Sequence, residues 1–132
     1  MTTKLGLKTT LPITYDNAVA RVTNLLKEEG FGILTEIDVK ATLKKKLDVD
    51  HNRYIILGAC NPPLAHQALQ TEPDLGLLLP CNVIVYETEP GESVVSIVDP
   101  VMMLGLVPDP ELKAVATEAQ AKLQRVVDKL AD

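Results

Sequence analysis

The stretch Asn82-Val-Ile-Val-Tyr-Glu-Thr-Glu-Pro-Gly-Glu-Ser-Val-Val-Ser-Ile-Val-Asp99 constrains the fold more than any other part of the chain. Two runs rich in β-branched residues, Asn82–Thr88 and Ser93–Asp99, flank Glu89-Pro-Gly-Glu92. A Pro-Gly turn between two such runs predicts an antiparallel hairpin. A turn centred on Pro90-Gly91 pairs residues whose numbers sum to 181 (90 + 91), so Asn82 is expected to face Asp99 and Cys81 to face Pro100. The start of one strand then meets the end of the other.

The rest of the chain supplies elements around that hairpin. Residues 5–13 read as an edge or first strand. Thr14 is placed to cap a helix over 15–29 whose Ala18, Val22, Leu25 and Leu26 share a face, with Gly30 as its left-handed stop. Phe31–Ile37 reads as a strand, and Asp38 caps a short helix with Val39, Leu43 and Leu47 opposite its lysines. Asp48–Asn52 is turn chemistry. Tyr54–Cys60 is a nearly continuous apolar run, expected to be an interior strand. Asn61-Pro62 then starts a helix, with an N-cap residue followed by proline at the first helical position. That helix stops before Pro73, and Leu75–Leu79 reads as an apolar turn or short helix. After the hairpin, Pro100–Pro108 is expected to be a loop, and Asp109-Pro110 opens a long final helix. The order β-α-β-α-β-α-β-β-α predicts an α+β fold, one domain over residues 1–132, with helices packed on one face of a mostly antiparallel sheet. A doubly wound parallel sheet would bring a Gly-rich phosphate loop, which the sequence lacks.

Composition narrows the function. A net charge of −5 opposes nucleic-acid binding, and with no Trp, one Phe and three Tyr there are few rings on which bases could stack. The one basic cluster, Lys40, Lys44, Lys45 and Lys46, reads as the solvated face of its helix. No run of 18 apolar residues predicts a membrane span, and MTTKLGLKTT has no apolar leader. A cytoplasmic chain with two reduced cysteines is the expectation.

Those cysteines mark the candidate site. Each is followed by asparagine, in Leu57-Gly-Ala-Cys-Asn-Pro62 and Leu79-Pro-Cys-Asn-Val83. If strand 54–60 runs antiparallel to strand 82–88, then Cys60, Asn61, Cys81, Asn82 and Asp99 gather at one rim, under the loop carrying Met102 and Met103. Cys60 also immediately precedes a helix cap, where unpaired N–H groups and the helix dipole stabilise a thiolate. Two thiols 21 positions apart exclude a zinc knuckle but would accept a soft ion, copper(I) or zinc, with a methionine as further donor. Buried cysteines acting as small hydrophobes, and methionines filling gaps, are the bland alternatives. His66 is expected on the exposed side of its helix, and His51 in a surface turn. The apolar loop Val101–Val107 is expected to enter the core, cover a pocket or meet a second copy of the chain.

Phe31-Gly-Ile-Leu-Thr-Glu-Ile-Asp-Val-Lys-Ala-Thr-Leu-Lys-Lys-Lys-Leu47, together with the two Cys-Asn segments and Asp99-Pro100, resembles the family catalogued as domain of unknown function 302. The resemblance covers nearly the whole chain. It implies a fold similar to a single TATA-box-binding-protein-like unit with added helices, assembled as a homodimer, and it implies no activity. The leading functional expectation is a small homodimer that binds a ligand or soft metal at the Cys60/Cys81 rim without turnover. A thiol enzyme using Cys60 as nucleophile and Cys81 as resolving thiol, and a purely structural module, are the alternatives.

Overall fold

The computed structural model describes residues 5–132; the first four residues of the amino-terminal segment, read above as lacking an apolar leader, lie outside them. Five strands, β1 (Gly6–Leu11), β2 (Gly32–Asp38), β3 (Tyr54–Cys60), β4 (Cys81–Glu89) and β5 (Glu92–Val98), form one sheet in the order β1-β5-β4-β3-β2. Every neighbouring pair is antiparallel, including β3 with β4. The helices are α1 (Tyr15–Glu28), α2 (Val39–Leu47), α3 (Pro62–Thr71), α4 (Pro100–Leu104) and α5 (Pro110–Ala131), with a 3-10 helix at Pro73–Leu78. The α+β architecture expected from the sequence is the one observed. Among the described residues no helix is long and apolar enough to cross a membrane.

The helix boundaries follow local chemistry. Thr14, Asp38, Asn61 and Asp109 accept backbone N–H bonds from Asn17 (3.2 Å), Ala41 (2.9 Å), Leu64 (3.3 Å) and Glu111 (2.8 Å), satisfying donors that a helix start leaves unpaired. At the end of α1, Gly30 takes φ +85°, Phe31 N–H donates to Leu26 and Gly30 N–H to Lys27. This is a Schellman closure, and it seats both Leu26 and Phe31 in the core.

The core lies between one sheet face and the helices. Leu57 and Ala59 on β3, Val83 and Val85 on β4, and Val95 and Ile97 on β5 alternate inward and meet α1 and α5 through Val22, Leu26, Leu112, Leu123 and Val126. On the opposite face Tyr54 stacks on Tyr86, with ring centroids 5.4 Å apart, and Lys8 lies over the Tyr86 ring.

Three details differ from the sequence reading. Pairs summing to 181 persist only at Glu89 and Glu92; a bulge at Thr88 shifts the rest, so Val83 lies opposite Ile97 and Val85 opposite Val95. An extra residue in one strand moves every later partner by one position. The stretch Pro100–Pro108 is not all loop, because Asp99 caps the short α4 by accepting from Val101 N–H at 2.9 Å. Finally, α2 has the apolar stripe expected of it, yet none of its residues is buried.

Candidate functional site

The ends of β3 and β4 meet α3, α4 and α5 at one rim of the sheet, and a cavity of about 300 Å³ opens there. Its floor comes from the strands, with Ala59, Cys60 and Cys81, and from Phe31 and Leu34 where β2 begins. Leu64, Ala65, Ala68 and Leu69 of α3 form one wall; Val115 and Ala119 of α5 form another. Leu79 and Pro80 lead into β4, while Pro100, Met103 and Leu104 cover the remaining side from α4. Small residues on α3 and α5 make the room: Ala65, Ala68 and Ala119 stand where bulkier side chains would fill it.

The register explains why the thiols share this cavity. Cys81 lies directly across from Ala59, the neighbour of Cys60 in β3. Cys81 is buried and Cys60 half-buried, and both are free thiols. Burial pushes the Cys81 thiol up to about 11, and charge on Cys60 adds in the same direction. Cys81 is therefore a neutral thiol at physiological pH.

Asn61, the remaining polar wall residue, already has its partners. Its Oδ1 caps α3 through Leu64 N–H, and its Nδ2 donates to the Glu29 carbonyl at 3.4 Å. The cavity thus presents apolar surface, two thiols and a thioether, with no charged side chain among the lining residues.

Of the seven residues singled out by sequence, Cys60, Asn61, Cys81 and Met103 line the cavity. The other three do not. Asn82 pairs with Gly58 and is exposed. Asp99 is half-buried, and its Oδ1 serves the α4 cap and also accepts from Gln120 Nε2 at 2.9 Å. Met102 faces outward from α4. His66 is exposed on α3, and among the described residues no group of three His, Cys, Asp or Glu side chains could hold a metal ion.

Sequence reasoning missed the apolar walls, and Leu34 most of all. Leu34 is the extra residue of a bulge, since Ile33 pairs with Ala59 and Thr35 with Gly58. Bulges re-aim side chains next to sites, and this one brings an otherwise solvent-facing leucine to the cavity mouth. The strand pair is tight beside it: a Cβ on Gly58 would collide with Thr35 Oγ1 and stand 2.8 Å from Pro80 Cγ.

The comparisons with known proteins agree with this geometry at the level of family and fold. No curated protein matches the chain. A crystal structure described as an uncharacterized conserved protein DUF302 from Bacillus stearothermophilus is similar to it, at 29% sequence identity and a TM-score of 0.86, over 96% of this chain and 98% of that one. The family model described as Domain of unknown function DUF302 matches residues 7–130. The chain belongs to the DUF302 family.

Proposed function

We propose that this protein is a cytoplasmic homodimer that holds a small, uncharged, mainly apolar ligand in the cavity beside Cys60 and Cys81, without turning it over. The observation that carries this reading is the cavity itself: about 300 Å³, no charged lining residue, and an Asn61 side chain already committed to Leu64 and Glu29. A dry 150 Å³ cavity holds one benzene, so this one suits a ligand of roughly a dozen carbon atoms. The thiols offer a soft contact for one end of it. Two reduced cysteines fit a reducing compartment. The strand order and one-sided helices fit the TATA-box-binding-protein-like unit that the family resemblance implies, while the charge of −5 argues against carrying DNA binding over with it.

The thiol-enzyme reading has less support. A resolving thiol must form a thiolate, which the burial of Cys81 opposes, and no histidine or carboxylate lines the cavity to act as base. One observation favours a soft metal as the second reading: Met103 lines the same cavity as both cysteines, giving three sulfur donors of the kind copper(I) takes. Deprotonating Cys81 weighs against it.

Methyl NMR during titration with p-xylene tests the leading reading. Shifts should concentrate at Leu64, Ala65, Ala68 and Met103, and Ala65→Phe, which fills the space from a half-buried position, should abolish them. Unshifted cavity methyls in the wild type would refute ligand binding. Native mass spectrometry of fresh protein with added copper(I) separates the second reading, which fails if no metal adduct depends on Cys60 and Cys81.

A further inference from the structure

The chain's only two cysteines both line the cavity, and they stand in different surroundings. Where the walls need only a small side chain, alanine fills the position, as at Ala59, Ala65, Ala68 and Ala119. Smallness alone therefore does not account for two thiols. Cys81 is 9% exposed, and its thiol has no hydrogen-bond partner among the described residues. A buried donor, even a weak one, is left unsatisfied unless something enters to accept from it. Burial also keeps the proton on this thiol. Cys60 is half-buried at the end of β3, so it lines the cavity while water still reaches it.

These surroundings suit the two thiols to different parts of one addition reaction. A thiol nucleophile reacts as the thiolate, so it must shed a proton, and contact with water serves that. A donor to an oxygen acceptor must instead keep its proton, as the buried Cys81 does. No charged side chain lines the cavity to pair with a carboxylate or a phosphate, so the acceptor oxygen belongs to an uncharged group. A carbonyl meets that condition. A hydrocarbon chain attached to it has the apolar wall of α3, with Ala65, Ala68 and Leu69, to lie along.

We infer that the cavity takes an α,β-unsaturated ketone or aldehyde with a hydrocarbon tail, which Cys60 captures by conjugate addition while the Cys81 thiol donates to its carbonyl oxygen. The inference rests on the apolar-ligand reading above and names the class of that ligand. Cys60 gives its proton to water, and its sulfur attacks the β-carbon. An S–C bond forms, and the electron pair of the C=C bond moves toward the carbonyl oxygen as an enolate. The α-carbon then takes one proton from water. Nothing leaves the ligand, and no oxidant or reductant takes part. The step needs neither a resolving thiol nor a basic side chain in the wall, the two requirements that count against a thiol enzyme.

Mass spectrometry of the protein during reaction with trans-3-nonen-2-one and with trans-3-penten-2-one, followed by peptide mapping, tests the inference. The two enones share one reacting group and differ only in tail length, and free glutathione supplies their intrinsic rates. Relative to glutathione, Cys60 should take the longer enone at least ~10-fold faster than the shorter, because burying the tail favours it. The adduct should carry the whole mass of the enone and be absent from Cys60→Ser, and Ala65→Phe should bring the two rates together. Cys81→Ala should slow capture of both enones by ~3-fold or more, and Cys81→Ser, which restores a donor, should recover rate. Equal relative rates for the two enones in the wild type, or an adduct on Cys81, overturn the inference; p-xylene shifts at the cavity methyls would then leave the apolar-ligand reading standing. Cys81→Ala reacting at the wild-type rate overturns the donor role. Equal rates together with no p-xylene shifts overturn both readings.

Discussion

The two edges of the sheet are built from the same materials and treated in opposite ways. At the β1 edge, Leu7 and Leu11 are buried against the core, α5 packs along the strand, and Ser93 Oγ donates to the Ile13 carbonyl at 3.0 Å just beyond it. At the β2 edge, no residue of the strand is fully buried, and of the apolar stripe on α2 Val39 and Leu43 are half-buried while Leu47 is exposed. The β1 edge is finished by the chain itself, as isolated sheet edges usually must be. The β2 edge is held by its ladder to β3 and by the Asp38 cap, and is left open. The contrast separates what holds the fold from what the fold presents.

One leucine on each edge makes the contrast measurable. Leu11 is 4% exposed in β1 and Leu34 is 67% exposed in β2. Truncating a buried leucine removes its transfer energy and leaves a cavity, so Leu11→Ala is expected to cost about 2–5 kcal/mol in urea unfolding. Leu34→Ala, measured at a protein concentration low enough for monomers, should stay within about 0.5 kcal/mol of the wild type. Equal losses at the two positions would mean that the chain's own packing supports both edges alike.

A pair of glycines sharpens the same comparison with a smaller effect. A Cβ added to Gly6 in β1 would run into the Ile97 carbonyl, a backbone group that cannot swing away, whereas nothing lies within 4 Å of one added to Gly32 in β2. Gly6→Ala should therefore destabilise by about 1–3 kcal/mol as an overpacked site does. Gly32→Ala should gain about 0.4–1 kcal/mol, because alanine narrows the unfolded ensemble without meeting an obstacle in the folded strand. Thermal or urea unfolding of the two variants, again as monomers, decides this; opposite signs are the expected outcome.

How far these features could be read from the residues depends on how local their causes are. The caps at Thr14, Asp38, Asn61 and Asp109 were legible because a side chain bonds an N–H two or three positions on. The Gly30 stop and the Pro90-Gly91 hairpin were legible for the same reason, and the antiparallel β3–β4 pair then brought Cys60 and Cys81 together. The bulges at Thr88 and Leu34 were not, because an extra residue is placed by the packing of the whole sheet and no side chain announces it. The first of them displaced the register on which Asp99 was set opposite Asn82. The start of α4 did carry a signal: Asp99-Pro100 repeats the cap-then-proline chemistry of Asn61-Pro62 and Asp109-Pro110, but its five residues were too few to show a helical period. The cavity walls converge from α3, α5 and the start of β2 only in three dimensions. The stripe Val39, Leu43, Leu47 could be seen in the sequence; that its Leu47 end stays exposed could not.

The smallest expected effect concerns the point where the finished side of the molecule reaches toward the open one. Arg125, on α5, holds Glu29, the residue that closes α1 on the approach to β2, through Nε at 3.0–3.1 Å and Nη2 at 2.8 Å. Asn61 donates to the Glu29 carbonyl from the cavity side, so the approach to β2 is tied in addition to the strand's ladder with β3. The Arg125 hydrogen bonds hold the Glu29 carboxyl below its ordinary value despite the opposing cost of burial. A carboxylate lowered in the folded state stabilises it fully above the unfolded value, and loses that contribution as the pH falls through the lowered one. The stability gap between wild type and Arg125→Ala should therefore be present at neutral pH and close in acid, below the usual carboxylate range. Arg125 is half-exposed, so the gap should be small and should shrink with added salt. Arg125→Lys keeps the charge and gives up the two-pronged geometry, and should fall between the two. A gap that persists unchanged into acid would assign Arg125 to packing instead, and the root of β2 would then be held by Asn61 and the Leu26–Phe31 closure without help from charge.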